Sequence, residues 1–176
     1  HDWSIEGTVD SKNPMGNDGG YFPAGVGCYR KTFTIPATYK DKLVSIYFEG
    51  VYMNAEVYIN GKLLGVHPYG YTPFSYDLTP YLKLNGKNVL FVRVDNSMQK
   101  NSRWYSGSGI YRHVSMVVTN PIHMAQWGVT VTTPNVSTKK ATVIVKTLVK
   151  NETGLPQNVS LKTTLWNKNS IKSGDN

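Results

Sequence analysis

The chain has 176 residues, of which 40% are hydrophobic and 12% aromatic, and its formal net charge is +8. This length and apolar content suffice for one packed domain, or for one domain and part of another, and they exclude a wholly disordered chain. No apolar run reaches the roughly 20 residues of a membrane helix, so no membrane partner is expected. The positive charge is scattered along apparent strands without a nucleic-acid-binding motif, and we therefore expect no nucleic-acid partner.

Alternation of apolar and polar side chains predicts β-strands throughout the first 120 residues. Asn60-Gly61 is typical of a two-residue hairpin turn. One helical turn is predicted at residues 77–82, with Asp77 or Thr79 as its N-cap and Pro80 near its start. Short strands separated by Gly, Pro and Asn favour an all-β fold, a sandwich or jelly roll. The predicted strands are residues 29–35, 43–48, 55–59, 62–66, 72–76, 88–94 and 110–118.

Asn120-Pro121 marks a change in composition. Beyond it the chain is rich in Val and Thr, and three more strands are predicted at residues 127–132, 141–149 and 158–166. An immunoglobulin-like sandwich usually needs about 100 residues and seven strands. We therefore expect residues 1–120 to form a jelly-roll domain and residues 121–176 to be the N-terminal part of a truncated immunoglobulin-like β-sandwich.

Few residues suggest catalytic chemistry. The single cysteine, Cys28, cannot form an internal disulfide and is expected to be a buried structural thiol. The four histidines lack paired ligand spacing, so no metal site and no cofactor are expected. Hydrolysis of a glycosidic bond usually needs two carboxylates about 5–9 Å apart. The chain has four glutamates, Glu6, Glu49, Glu56 and Glu152, and no two of them suggest such a pair. Glu56 is expected to face solvent.

Within the segment 101–112, residues 101–109 combine a cation, two aromatic residues and two glycines just before the strand predicted from residue 110. Arg103, Trp104 and Tyr105 on a glycine-kinked loop would suit a sugar or another flat polar ligand, because aromatic rings offer apolar faces with polar edges. The same residues also fit a loop that caps a sheet, with Trp104 and Tyr105 packed in the core. The segment alone leaves both interpretations open.

Seven short motifs follow one another along the first 120 residues: 1–4 (HDWS), 27–33 (GCYRKTF), 48–51 (FEGV), 57–61 (VYING), 70–79 (GYTPFSYDLT), 92–96 (VRVDN) and 103–112 (RWYSGSGIYR). Together, and in this order, they resemble the N-terminal region of glycoside hydrolase family 2, which contains β-galactosidases, β-glucuronidases and β-mannosidases. The last motif, at residues 103–112, is most similar to the corresponding motif of bacterial β-galactosidases.

The resemblance implies a jelly-roll sugar-binding domain, an immunoglobulin-like domain and a following (β/α)8 barrel that carries both catalytic glutamates of a retaining enzyme. We therefore expect a non-catalytic piece of a longer glycosidase that hydrolyses terminal β-galactosides. Family members usually have an earlier strand, so the first strand of the sandwich is expected to be missing. Asn151-Glu152 has the same two residues as the Asn-Glu pair that contains the family's acid/base glutamate, but it lies in the second predicted domain, and we interpret the match as a coincidence.

The resemblance also implies residue roles. Arg103 would contact a sugar hydroxyl, because a guanidinium offers several fixed donors. Trp104 and Tyr105 would shape the pocket or stack on the barrel, and Arg112 would be structural. Some β-galactosidases carry a cation-linked acidic residue in this loop; Arg103 lies near that position here, and no metal contact is expected.

Two other functions stay open at this point. The chain could be a stand-alone carbohydrate-binding module that uses Trp104, Tyr105 and Tyr69 or Tyr71 as a stacking platform, or a structural interaction domain. The expected partners are a carbohydrate and the catalytic barrel of the same chain. A homo-oligomer and a bacterial periplasmic or extracellular setting are compatible with the sequence.

Overall fold

The computed structural model describes residues 7–98 and 107–166. The chain divides into two compact units, His1–Pro121 and Ile122–Asn176, and each is described by itself. Among the described residues, no helix is long and apolar enough to cross a lipid bilayer.

The described part of the first unit is built from β-strands and three short 3-10 turns, so the predicted all-β fold is confirmed. The turns are Asn17–Gly19, Ala37–Tyr39 and Thr79–Tyr81. The strands are β1 (Gly25–Thr34), β2 (Leu43–Phe48), β3 (Val51–Tyr52), β4 (Ala55–Ile59), β5 (Lys62–His67), β6 (Phe74–Asp77), β7 (Lys87–Asn96), β8 (Gly109–Ile110) and β9 (Val114–Thr119).

Two antiparallel sheets provide the core of this unit, one with the strand order β1-β7-β4-β5 and one with the order β6-β2-β9. Strands β3 and β8 form a separate two-stranded pair. Burial alternates along β2, β4 and β7, because successive side chains point to opposite faces of a sheet. The buried core contains Val44, Ile46, Phe48, Val57, Ile59, Leu90, Val92 and Val94.

The hairpin predicted at Asn60-Gly61 is confirmed, since β4 and β5 pair across it and both turn residues have positive φ, 51° and 84°. The Asn60 side chain also joins the hairpin to β7. Its Oδ1 accepts the Val89 N–H at 2.9 Å, and its Nδ2 donates to the Asn88 Oδ1 at 2.9 Å and to the Tyr81 C=O at 2.8 Å.

Two local predictions need correction. The turn near residue 79 is a 3-10 turn with Leu78 at the N-cap position, so neither proposed residue is the N-cap. Asp77 Oδ1 instead accepts the Thr79 N–H at 2.9 Å, while Thr79 Oγ1 accepts the Val44 N–H at 2.9 Å. The strand predicted at residues 110–118 is interrupted at residues 111–113, where the chain passes from the β3–β8 pair to β9.

In the second unit, β10 (Ile122–Val136) and β11 (Ala141–Asn151) form an antiparallel pair. The register shifts between Met124 and Val129, and Trp127 in this stretch has a φ of 56°. The third strand predicted here, residues 158–166, is wrong: this segment is exposed and has no strand assignment. A strand needs a hydrogen-bonded neighbour, and the described residues provide none for this segment.

Candidate functional site

The three predicted sugar-contacting residues, Arg103, Trp104 and Tyr105, lie outside the described residues. The structure describes the chain on both sides of this segment. Strand β7 leads towards it and ends at Asn96, and the chain is described again from Gly107, just before β8.

A buried hydrogen bond joins these two flanks. The Asn96 Nδ2 donates to the Ser108 Oγ at 2.7 Å. Both residues are buried, with 1% and 0% of their surface exposed. Because a buried amide without a partner is costly, this bond stabilises the approach of the two flanks. Sequence reasoning missed it, since the two residues are separated by the segment itself.

Four tyrosines lie close together beside the flank that follows the segment, and we call them the tyrosine cluster: Tyr52, Tyr69, Tyr71 and Tyr111. The Tyr71 ring meets the Tyr52 ring edge-on at 5.2 Å between centroids and the Tyr69 ring at 5.7 Å. Tyr52 lies opposite Gly109 in the β3–β8 pair, so the cluster adjoins the residues that follow the undescribed segment. Tyr69 and Tyr71 are more than half exposed, at 58% and 56%.

Two glycines allow the cluster to form. A Cβ atom on Gly70 would lie 2.1 Å from the Tyr52 Cδ2, and a Cβ atom on Gly50 would lie 2.5 Å from the Tyr111 Cζ. Real Cβ atoms do not approach other atoms so closely. The Tyr111 hydroxyl then donates to the Gly70 C=O at 2.8 Å, which fixes the loop that carries the two exposed rings.

The electrostatics of the cluster centre on Tyr111. Burial raises the pKa of the Tyr111 phenol, Arg112 opposes the rise, and Tyr71 and Tyr69 add to it. The Arg112 guanidinium carbon lies 5.7 Å from the Tyr111 ring centroid, within the range of a cation–π contact. This contact is in keeping with the structural role expected of Arg112.

Glu56 is partly exposed, with 27% of its side-chain surface accessible, and it has partners that the sequence did not predict. Its Oε1 accepts the Arg93 Nη1 at 2.8 Å, and its Oε2 accepts the Tyr58 hydroxyl at 2.7 Å. The Arg93 Nη2 also donates to the Asp95 Oδ2 at 2.9 Å. Glu56 and Arg93 are opposite one another in the β4–β7 register, which places them on the same face. Knowledge of the strand pairing would have predicted this contact.

These contacts shift the pKa values of three of the groups involved. The hydrogen bond to Glu56 raises the pKa of Tyr58, and burial adds to the rise. The bond to Asp95 raises the pKa of Arg93. Hydrogen bonds from Ser97, and then Arg93, lower the pKa of Asp95. The network therefore favours an ionised Asp95 and an undissociated Tyr58.

The other described glutamates have local partners. Glu49 Oε2 lies 3.3 Å from the His113 Nδ1, and Glu152 Oε1 lies 3.8 Å from the Lys150 Nζ. Asn151 accepts the Thr153 N–H and donates to the Leu155 C=O within a turn. No three or more His, Cys, Asp and Glu residues of the described ranges are grouped so that they could hold a metal ion.

The expectation of a buried thiol is also wrong, because Cys28 is exposed. It lies opposite Arg93 in the β1–β7 register, whereas the next residue, Tyr29, lies opposite the buried Val92. The alternation along β1 therefore turns Tyr29 towards the core and Cys28 away from it.

Residues 14–121 match the family model described as "Glycosyl hydrolases family 2, sugar binding domain". The chain is 54% identical over 165 residues to the β-galactosidase BoGH2A of Bacteroides ovatus, covering 94% of this chain and 19% of that protein. It is 43% identical over 164 residues to a putative β-glucuronidase of Formosa agariphila, covering 93% of this chain and 16% of that protein.

The fold is similar to the crystal structure of a glycosyl hydrolase family 2 member from Bacteroides cellulosilyticus. The TM-score is 0.82 at 40% sequence identity, covering 88% of this chain and 21% of that one. The chain thus spans about a fifth of the length of these relatives. Sequence and fold agree, and the chain belongs to glycoside hydrolase family 2.

Proposed function

We propose that these residues are the non-catalytic N-terminal region of a retaining family 2 glycosidase that hydrolyses terminal β-galactosides. The observation that carries this proposal is the 54% identity to a β-galactosidase over 94% of the chain. The identity to a putative β-glucuronidase is lower, at 43% over a similar stretch. Both catalytic glutamates would lie in a (β/α)8 barrel elsewhere in the polypeptide.

In this proposal the segment between Asn96 and Ser108 forms one wall of the sugar pocket. Arg103 donates to a sugar hydroxyl, and Trp104 and Tyr105 shape the wall or stack on the barrel. Two observations support this: the buried Asn96–Ser108 bond joins the two flanks, and the tyrosine cluster packs beside the flank that begins at Gly107. A fixed base favours productive orientation of a contacting residue.

We also propose that the jelly-roll domain comprises residues 1–120 without its first strand, and that residues 121–176 begin an immunoglobulin-like sandwich. Apolar side chains on one face of the β10–β11 pair are exposed, among them Val129, Val131 and Val145, which lies opposite Val131. A second sheet packed on this pair would bury them, as in sandwiches generally. The remaining strands would come from sequence outside these residues.

The pocket-wall role is tested by Arg103→Ala in the full-length protein, assayed with a chromogenic β-galactoside. We expect kcat/KM to fall by about tenfold or more, because a hydrogen bond to the sugar is lost. Lys146→Ala, at an exposed position on β11, is the matched control. Unchanged kinetics in a folded Arg103→Ala variant would remove this residue from the pocket, and a preference for β-glucuronides would overturn the assigned substrate.

A stand-alone carbohydrate-binding module is the second candidate, because Tyr69 and Tyr71 expose large parts of their rings. The length of the open reading frame distinguishes the two functions. A continuation of several hundred residues with a barrel and two catalytic glutamates supports the enzyme. A stop codon directly after Asn176 supports the module.

A further inference from the structure

A basic cleft of about 540 Å³ lies at one end of the four-stranded sheet of the first unit, beside the hairpin between β4 and β5. Three cations line it: Arg30 from β1, Lys87 from the start of β7, and Lys83 from the turn before β7. No described acidic residue lines the cleft, and none of the three cations has an ion pair with another described residue. Within the described part of the chain, the positive charge of the cleft is therefore unmatched.

A buried asparagine fixes the turn that carries the two lysines. Asn88 is 0% exposed. Its Oδ1 accepts the Lys83 N–H at 2.8 Å, and its Nδ2 donates to the Lys83 C=O at 2.9 Å and to the Gly86 C=O at 3.2 Å. The same Oδ1 accepts the Asn60 Nδ2 at 2.9 Å, which ties the turn to the hairpin. Because the backbone beneath the cleft is already ordered, an anion that binds there has less conformational entropy to remove.

Two aromatic rings lie next to the cleft on the outer face of the same sheet. Phe91 is opposite Arg30 in the β1–β7 register and opposite Tyr58 in the β4–β7 register, so the three side chains share one face. The neighbours of Phe91 along β7, Leu90 and Val92, are buried, so this face points away from the core. The two rings are half-buried, with their centroids 5.8 Å apart. Such rings offer apolar faces with polar edges, which suit the faces of sugar rings.

Carboxylates lie at the far end of this face. Glu56 and Asp95 contact the Arg93 guanidinium at 2.8 Å and 2.9 Å, and 27% and 26% of their side-chain surfaces are exposed. Asp95 follows Lys87 by eight residues along β7, which is roughly 26 Å at the usual rise of a strand. A carboxylate with one or two partners still has acceptor sites for hydroxyl groups. The outer face is thus cationic at one end, aromatic in the middle and rich in hydrogen-bond acceptors at the other end.

We propose that the outer face of the four-stranded sheet binds an acidic glycan, with a carboxylate or sulfate group of the glycan in the basic cleft. Arg30, Lys83 and Lys87 hold this group through charge-assisted hydrogen bonds. Neutral sugar rings follow over Phe91 and Tyr58 and donate hydroxyl protons to the two carboxylates beyond them. The cleft volume lies within the range of about 300–1,000 Å³ that is usual for ligand sites. This site goes beyond the proposed hydrolysis of terminal β-galactosides and does not depend on it.

A nucleic acid fits the same face less well. Proteins that bind single strands use a positive groove that follows successive phosphates. Here the charge changes sign along the face, because Glu56 and Asp95 share the single cation Arg93. Phosphates beside these carboxylates would be repelled. A glycan with an isolated acidic group and neutral neighbours matches both ends of the face.

The first test is calorimetric titration of the intact protein with three dextran oligosaccharides of equal length: unmodified, lightly carboxymethylated and lightly sulfated. We expect at least one acidic form to bind about tenfold more tightly than the neutral form, and added salt to reduce this preference. The tighter of the two acidic forms identifies the group that the cleft prefers. Equal binding of all three forms, or tighter binding of an oligothymidylate than of both acidic forms, would overturn the proposal. The readout is binding rather than glycosidase activity, so the proposed substrate can fail while this inference stands.

The position of the site is tested with two double variants that change the net charge equally. Lys83→Gln with Lys87→Gln should weaken binding of the acidic dextran about tenfold or more, because two charge-assisted contacts are lost. Lys139→Gln with Lys146→Gln, at exposed positions of the second unit, should leave it unchanged. An equal loss in both would mean attraction by net charge alone and would contradict a site at the cleft.

The aromatic part of the face is tested with Phe91→Leu, which keeps an apolar side chain but removes the ring. We expect the affinity for the acidic dextran to fall about threefold, because stacking on the ring is lost. The salt dependence should stay as in the unmodified protein, since the three cations are intact. Unchanged affinity in this variant would contradict the placement of sugar rings over Phe91.

Discussion

The first and second units use similar apolar residues with different results. In the first, Val57, Ile59 and Phe48 alternate along paired strands and are fully buried between two sheets. In the second, Val129, Val131 and Val145 lie on one face of the β10–β11 pair and are 39–59% exposed. Strand pairing alone therefore does not make a core. Burial depends on a second layer, and a two-stranded pair without one is marginally stable.

The largest expected effect contrasts a buried and an exposed side chain. Phe48→Ala should lower the free energy of unfolding by about 3–5 kcal/mol, because it removes a fully buried ring stacked on Phe74 at 4.8 Å. Leu148→Ala in β11 should change it by less than about 0.5 kcal/mol. Urea unfolding of both variants measures the difference. A comparable loss for Leu148→Ala would mean that the second unit is covered in the protein studied.

A smaller effect is expected at the tyrosine cluster. Gly70→Ala should cost about 1–3 kcal/mol, because the new methyl group overlaps the Tyr52 ring. The cost should fall when Tyr52→Ala is present as well, which a double-mutant cycle of unfolding free energies measures. Equal costs in the two backgrounds would show that the ring is not the source of strain.

The partly exposed charge network should contribute less. Glu56→Gln keeps the side-chain shape but removes the charge that faces Arg93. Because about a third of each side chain is exposed, we expect a loss below about 1 kcal/mol, reduced further in 1 M salt. Unfolding curves at low and high salt test this. An effect independent of salt would contradict an electrostatic origin.

The smallest expected effect is a pH dependence at Asp95. Ser97, followed by Arg93, lowers its pKa in the folded state. The stabilisation is therefore present above the unfolded pKa of about 3.9 and is lost as the pH falls through the folded value. Asp95→Asn should flatten the loss of stability below about pH 4, because the amide that replaces the carboxyl group does not titrate. Unfolding free energies of the wild-type protein and the Asp95→Asn variant, measured across this pH range, test the prediction.

Local patterns predicted much of the fold. Residues 43–48 are rich in β-forming residues and residues 55–59 lead into a hairpin signal; both segments occur as strands with those bounds, and Asn60-Gly61 forms the expected hairpin. The strand at residues 158–166 was predicted from the same kind of pattern and is absent. The difference is the partner: a strand needs a neighbour to complete its hydrogen bonds, and a local pattern does not contain that information.

The candidate site was less predictable from sequence. Arg103, Trp104 and Tyr105 were singled out by their residue types and by the resemblance to family 2, and their roles stay predictions, because they lie outside the described residues. The features on either side of this segment depend on tertiary contacts between residues that are distant in sequence. Asn96 meets Ser108, and the Gly70 loop carries Tyr69 and Tyr71 against Tyr52. Cys28 was misassigned for a related reason, since its exposure depends on which face of β1 meets the core.

The hydrogen bonds of Asn60 have a consequence for the chemical ageing of the protein. An asparagine before glycine is prone to deamidation, because the unhindered glycine nitrogen can attack the side-chain carbonyl carbon and form a succinimide. In the fold both ends of the Asn60 amide are held, its oxygen by Val89 and its nitrogen by Tyr81 and Asn88. Spontaneous conversion to aspartate should therefore be slow in the native protein and faster once it unfolds. The fraction of Asn60 converted to aspartate would therefore increase with the time that the protein has spent unfolded.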